Sequence, residues 1–182
     1  LKQFGANIYV ASLVSISMVR EFGPMMTGIM LAGRSGSAIT AELATMKVSE
    51  EIDGLRVMGI DPNRYLTLPR MIAITIVQPS LTLMSNVIGI FGGFLIGTLY
   101  LDLSVGSYVT ETLESVTLVD LFNGLSKSVV FAWIIGTISI YAGMGVKGGA
   151  TSVGRATTRA VVASIFAIIV ADSAFAMITT FV

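Results

Sequence analysis

The sequence has no cysteine and no histidine, only four prolines in 182 residues, and only 12% charged residues. Without cysteine there is no disulfide, no thiolate nucleophile and no thiolate metal ligand. Without histidine there is no imidazole for zinc or for a Ser-His-Asp relay. Most hydrolase chemistry is excluded by inventory alone. The charge deficit says more. Soluble domains carry about 25% charged residues, so about half of the usual solvating surface is missing. Eleven Lys and Arg balance eleven Asp and Glu, which removes any net basic field that would draw in nucleic acid. Apolar residues take the place of charges: 54% of the chain is hydrophobic and the mean hydropathy is +0.86. The chain reads as an all-α integral membrane protein.

Charge-free runs locate the membrane spans, since a crossing needs about 20 apolar residues at about 1.5 Å each. Four are expected, at about 8–41, 71–101, 122–146 and 159–182. The run from Met71 to Leu101 has no charge at all, and the last is broken only by Asp172. The first is interrupted by Arg20, Glu21 and Arg34, and a break is expected at Gly23-Pro24, where proline removes a backbone donor. Residues 42–70 hold Lys47, Arg56, Arg64 and Arg70, and residues 147–159 hold Lys147, Arg155 and Arg159. Residues 102–122 hold Asp102, Glu111, Glu114 and Asp120 but no Lys or Arg. The positive-inside rule puts the first two segments in the cytoplasm and the third outside, with both ends of the chain outside. A chain that starts outside needs an earlier crossing. Residues 1–182 are therefore expected to form one membrane domain that lacks an N-terminal helix.

Two connecting segments have the punctuation of short helices. In the first, Ser49 suits the cap, Glu50, Glu51 and Asp53 the first turn, Arg56 the last turn and Gly59 the exit, and Asp61-Pro62 starts another helix. Val48, Ile52, Leu55 and Met58 make one apolar stripe. Such a helix either packs on its own domain or docks a cytoplasmic partner. In the second, 104–116, Val105, Tyr108, Val109, Leu113 and Val116 oppose Glu111 and Glu114, the pattern of a helix lying on the outer membrane surface.

Gly89, Gly93 and Gly97 recur every fourth residue inside the cleanest span, a face for close helix approach within the chain or across a dimer. Gly143-Met-Gly145-Val-Lys-Gly148 has the spacing of a dinucleotide loop but follows a membrane helix, not a strand, so that reading fails. No G-x-x-x-x-G-K-[ST] motif is present, so the chain does not itself cradle ATP in a P-loop. The intramembrane charges carry more weight. Asp172 lies 13 residues past Arg159, about 20 Å into its span, too deep for its short side chain to reach either surface, so it must face protein or water. A central carboxylate costs about 2.5–3.5 kcal/mol and marks a pathway or an ion pair. Lys127 lies near the outer end of its span, where it could snorkel, and would reach Asp172 only at full extension. Arg20 and Glu21 point about 100° apart on a helix and need separate partners. These four either shape a pathway or act as helix-to-helix glue.

The motifs Arg20-Glu21-Phe-Gly-Pro24, Leu31-Ala-Gly-Arg-Ser-Gly-Ser-Ala38, Ala41-Glu-Leu-Ala-Thr-Met46, Glu51-Ile-Asp-Gly-Leu55, Val57-Met-Gly-Ile-Asp-Pro62, Lys127-Ser-Val-Val-Phe131 and Ala156-Thr-Thr-Arg-Ala-Val-Val162 resemble the MlaE (YrbE) permease family, in order and over nearly the whole chain. Gly54 stands where the family often has Ala or Ser, and no basic residue follows Arg64 until Arg70. The resemblance implies the permease of an ABC transporter, a homodimer in the bacterial inner membrane. Its implied partners are an MlaF-like ATPase, an MlaB-like STAS protein and an MlaD-like MCE protein. The implied cargo is phospholipid moved between membranes in maintaining outer-membrane lipid asymmetry. ATP and Mg would be bound by the ATPase, with no cofactor, metal or catalytic residue in this chain. The implied coupling helix to the ATPase comprises Glu50, Glu51, Ile52, Asp53, Leu55, Arg56 and Met58. The family's charged membrane residues fall on Arg20, Glu21, Lys127 and Asp172. Alternatives are an MCE-type importer of sterols or other lipids and a scaffold subunit that transports nothing. An intramembrane protease is disfavoured, because Asp172 is the only carboxylate deep in the three cleaner spans and a two-Asp pair is absent.

Overall fold

The computed structural model describes residues 9–181, so the first and last positions of the expected outer spans, Ile8 and Val182, lie outside the described residues. All regular structure among the described residues is helical: α1 (Tyr9–Ser17), α2 (Gly23–Leu31), α3 (Ser37–Val48), α4 (Glu51–Val57), α5 (Leu68–Tyr100), α6 (Val105–Ser115), α7 (Leu118–Met144) and α8 (Ala150–Phe181). Three helices are long and apolar enough to cross a membrane among the described residues, spanning Asn63–Tyr100, Leu118–Met144 and Ala150–Thr179. α8 starts nine residues before the expected span, because its first turns carry Arg155 and Arg159 ahead of the uncharged run.

The first expected span is not broken at Gly23-Pro24. Helix continues through it, and a π-helical turn at Met18–Phe22 absorbs the proline. In a regular α-helix the Arg20 carbonyl would face the Pro24 ring and find no N–H. The wider turn avoids this: the Gly23 N–H donates to the Met18 carbonyl, five residues back. The turn at Asn63–Thr67 stands in the same relation to Pro69, with the Leu68 N–H donating to the Asn63 carbonyl. A third wide turn, Ala32–Gly36, joins α2 to α3 without a proline.

The chain forms two compact units, one holding the chain up to Thr27 with Pro79–Ser128, the other Gly28–Gln78 and everything from Val129 on. In the first, α6 packs on α1, where the Ser15 and Ser115 hydroxyls lie 3.0 Å apart. Ser104 caps α6 by accepting from the Ser107 N–H at 3.1 Å. The α6 stripe is only partly covered. Tyr108 is buried, donates to the Ile90 carbonyl at 3.3 Å and meets Phe94 edge-on, whereas Val105, Val109 and Leu113 are exposed. Burial pushes the Tyr108 phenol up from its ordinary value. The glycine stripe is filled from within the chain: a Cβ on Gly89 would meet the Met18 thioether, one on Gly93 would meet Val14 at 2.6 Å, and one on Gly97 the Tyr108 ring at 3.0 Å.

In the second unit α3 lies along α8. Leu43, Ile52, Leu66 and Ile140 make its core, with Leu55 and Met71 against it. Small residues let the helices close up, as membrane helices require. A Cβ on Gly143 would stand 2.9 Å from the Thr40 carbonyl and one on Gly36 2.9 Å from Ser139 Oγ. The Thr40 hydroxyl donates to the Ser139 carbonyl at 3.0 Å.

Candidate functional site

Arg20 and Glu21 lie in the wide turn ahead of Pro24, and both find partners on α7. Lys127 Nζ donates to Glu21 Oε2, and Arg20 Nε stands 3.5 Å from Asp120 Oδ1. The partners are separate, as side chains about 100° apart require. Asp120 and Lys127 are seven residues apart, two helical turns or about 10 Å, so they share a face of α7. Lys127 does not snorkel. Its side chain is 2% exposed, because the wide turn brings a carboxylate to it and makes the reach to the surface unnecessary. Asp172 belongs to the other unit, where it sits half-buried on α8.

In the sequence Asp120 stands only as a charge of the outer segment. It is both a cap and a partner. Its Oδ2 accepts from the Thr117 N–H at 3.1 Å and the Thr117 hydroxyl at 2.6 Å, and the Asp120 N–H donates back to Thr117 Oγ1 at 3.3 Å. This reciprocal cap leaves Oδ1 for Arg20. A Thr-x-x-Asp just ahead of an apolar run is a helix-start signature, and was the available signal. Gly124, between the two α7 partners, was also missed. A Cβ there would run into the Val19 carbonyl oxygen of the wide turn. The same crowding occurs at Gly23, where a Cβ would meet Asn86 Oδ1.

The cluster pairs two cations with two anions in the first unit, so it offers no net charge to a ligand. It fixes the first helix against α7 at two levels. A ladder of this kind can hold two helices in one register and release them together.

The short helix expected on the cytoplasmic side is α4, and its cap differs from expectation. Ser49 ends α3, donating to the Thr45 carbonyl at 2.9 Å and to Glu51 Oε1 at 2.8 Å. Glu50 takes the position before α4 with φ 62°, in the left-handed region, and no side-chain cap bond forms. Glycine would adopt this conformation without the Cβ clash, so Glu50→Gly should raise stability by about 0.5–1 kcal/mol in reversible unfolding. At the far end Gly59, φ 76°, returns its N–H to the Arg56 carbonyl at 3.0 Å. Ile52 is buried and Leu55 half-buried, but Met58 is 67% and Val57 89% exposed. The expected stripe is therefore only half covered, because the helix ends before Met58 and turns at Gly59. Arg70 ties the start of α5 to α3 through Glu42 at 2.6 Å.

Asp53 accepts from Lys47 Nζ at 3.1 Å and Arg56 Nη1 at 3.0 Å. The Lys47 hydrogen bond is the main cause holding its carboxyl below the ordinary value of 3.8. A lowered pKa means the contribution is complete above that value and is lost as the pH falls through the native one. Amide exchange in α4, corrected for intrinsic rates, should stay flat from about pH 5 to 8 and rise only in stronger acid.

Three helices long and apolar enough to cross a membrane, one of them, α7, carrying two charges paired to Arg20 and Glu21, fit a multi-pass membrane protein. The family model described as Permease MlaE matches residues 1–178, and the chain belongs to that family. It is 44% identical over 170 residues to a probable ABC transporter permease protein of Rickettsia typhi, covering 93% of this chain and 66% of that protein. It is 39% identical over 170 residues to protein TRIGALACTOSYLDIACYLGLYCEROL 1, chloroplastic, of Arabidopsis thaliana, covering 93% of this chain and 49% of that one. To the intermembrane phospholipid transport system permease protein MlaE of Haemophilus influenzae it is 37% identical over 163 residues, covering 89% and 62%. The chain thus spans under two thirds of the length of each of these relatives.

Proposed function

We propose that the chain is the membrane part of an ABC transporter permease that moves phospholipid, driven by a separate ATPase. The observation that carries this reading is the similarity to the Haemophilus influenzae phospholipid permease over 89% of the chain. Helix runs from Tyr9 to Val48 without a break, longer at about 1.5 Å per residue than the about 30 Å hydrocarbon core, which favours a fourth crossing there. α4, with Val57 and Met58 uncovered beside Arg56, is the coupling helix that docks on an MlaF-like ATPase carrying ATP and Mg. α6 lies at the outer membrane surface. Two copies assemble in the inner membrane, with MlaB-like and MlaD-like proteins as further subunits. The charges at Arg20, Glu21, Asp120 and Lys127 keep the first helix and α7 in register through the transport cycle, and Asp172 borders the lipid path.

Native mass spectrometry of the full-length protein, gently extracted from its own membrane, tests the assembly. The expected species is a permease dimer with two ATPase subunits and bound phospholipid. A lone permease without ATPase or lipid would overturn the proposal. The same complex carrying a sterol would keep the transporter and replace its cargo.

A further inference from the structure

The two levels of the charge ladder are held in different ways. The Lys127 side chain is 2% exposed, so burial alone keeps it on Glu21. The Arg20 side chain is 35% exposed and its Nε stands 3.5 Å from Asp120 Oδ1, so water competes for the guanidinium group. That pair lasts only if the carboxylate is already aimed, and three hydrogen bonds to Thr117 aim it. A reciprocal cap needs two of them, the Asp120 N–H to Thr117 Oγ1 and the Thr117 N–H to Asp120 Oδ2. The third, from the Thr117 hydroxyl to Oδ2, is the shortest at 2.6 Å and satisfies no backbone group of α7. Two donors on Oδ2 hold the carboxylate against rotation and leave Oδ1 directed at Arg20.

Thr117 is itself exposed and belongs to the two-residue joint, Val116-Thr117, between α6 and α7. Just ahead of the joint, the Ser115 hydroxyl lies 3.0 Å from that of the buried Ser15 on α1. The joint therefore meets the first helix on both sides, at Ser15 through α6 and at Arg20 through α7. We propose that Thr117 is a positioning residue for lipid transfer: its hydroxyl fixes Asp120, and through it Arg20, so that the Arg20–Asp120 level follows the α6–α7 joint. The role in transfer rests on the permease reading; the positioning of Asp120 does not.

Thr117→Gly separates the hydroxyl from the cap. Glycine caps a helix nearly as well as threonine and opens no cavity at an exposed position, but it has no hydroxyl. In proteoliposomes holding the full-length permease and its ATPase, Thr117→Gly should slow transfer of a fluorescent phospholipid about tenfold, the effect of one charge-assisted hydrogen bond, at an unchanged half-saturating lipid concentration. Thr117→Ser, which keeps the hydroxyl, should stay within about twofold of the parent. In an Asp120→Ala background Thr117→Gly should add nothing, because the carboxylate it acts through is gone. Parent-like transfer by Thr117→Gly would overturn the proposal. So would an equal loss in both backgrounds, the mark of a helix cap and nothing more.

A second readout needs no transport. The chain has no cysteine, so Leu13→Cys with Phe122→Cys, both at exposed positions, gives one spin-label pair between α1 and α7 in nanodiscs. Its distance distribution should broaden in Thr117→Gly and regain the parent width in Thr117→Ser. Equal widths in all three would overturn the proposal. Broadening in Thr117→Gly, with no lipid transfer by the parent, would sink the permease reading alone.

Discussion

Glu21→Ala should lower the stability of the membrane-embedded protein by about 3 kcal/mol. The substitution takes away the carboxylate that faces Lys127, a side chain only 2% exposed. Removing one partner of a buried pair costs about 3–5 kcal/mol, because the remaining charge has neither water nor counter-ion. The lower end applies, since Glu21 is itself 37% exposed and Lys127 keeps its other neighbours. Lys127→Met added to Glu21→Gln should recover most of the loss, because a neutral, similarly sized pair needs no compensation. Unfolding titrations in mixed micelles would measure both variants. Wild-type stability in Glu21→Ala would mean that the pair does not hold the helices together.

Gly124→Val should be at least as damaging, at the top of the about 1–3 kcal/mol range for overpacking or beyond it. The new Cβ would press on the Val19 carbonyl oxygen, with the Val19 carbonyl carbon next at 3.3 Å. These are backbone atoms of the turn that carries Arg20 and Glu21, so relief would shift both ion pairs. Gly92→Ala is the matched control: a Cβ there meets nothing within 4 Å, and alanine is the better helix former by about 1 kcal/mol. Expression and thermal unfolding in detergent should separate the two variants clearly. Similar behaviour would show that α7 does not depend on close approach to the turn.

The legible part of the fold follows from chemistry that is local in sequence. Uncharged runs placed the three long helices to within a few residues at most ends, since hydrocarbon length sets helix length. The exit at Gly59 and the start at Asp61-Pro62 were readable because a left-handed glycine and an Asx cap act on their nearest neighbours; the Asn63 N–H donates to Asp61 Oδ1 at 2.9 Å. Long-range arrangements were harder to read. That Arg20 and Glu21 needed partners followed from membrane burial, but which carboxylate would meet Arg20 depended on the register of α7. Asp120 also looked occupied with the outer segment. Proline 24 was expected to break the helix because a missing donor is visible in sequence, whereas the extra residue that a π-helical turn accommodates is not. Met58 continued an apolar stripe on paper but lies past the end of α4 (Glu51–Val57) and is exposed.

The most direct test of the central claim is ATP-driven transfer of a fluorescent phospholipid by the full-length permease, reconstituted with its ATPase in proteoliposomes. Wild-type protein should move lipid only when ATP is hydrolysed. The stable Glu21→Gln/Lys127→Met variant should assemble with the ATPase yet transfer at least about tenfold more slowly, because the charge ladder loses its Glu21–Lys127 level. ATP turnover by the assembled complex with no lipid movement in the wild type would contradict the account.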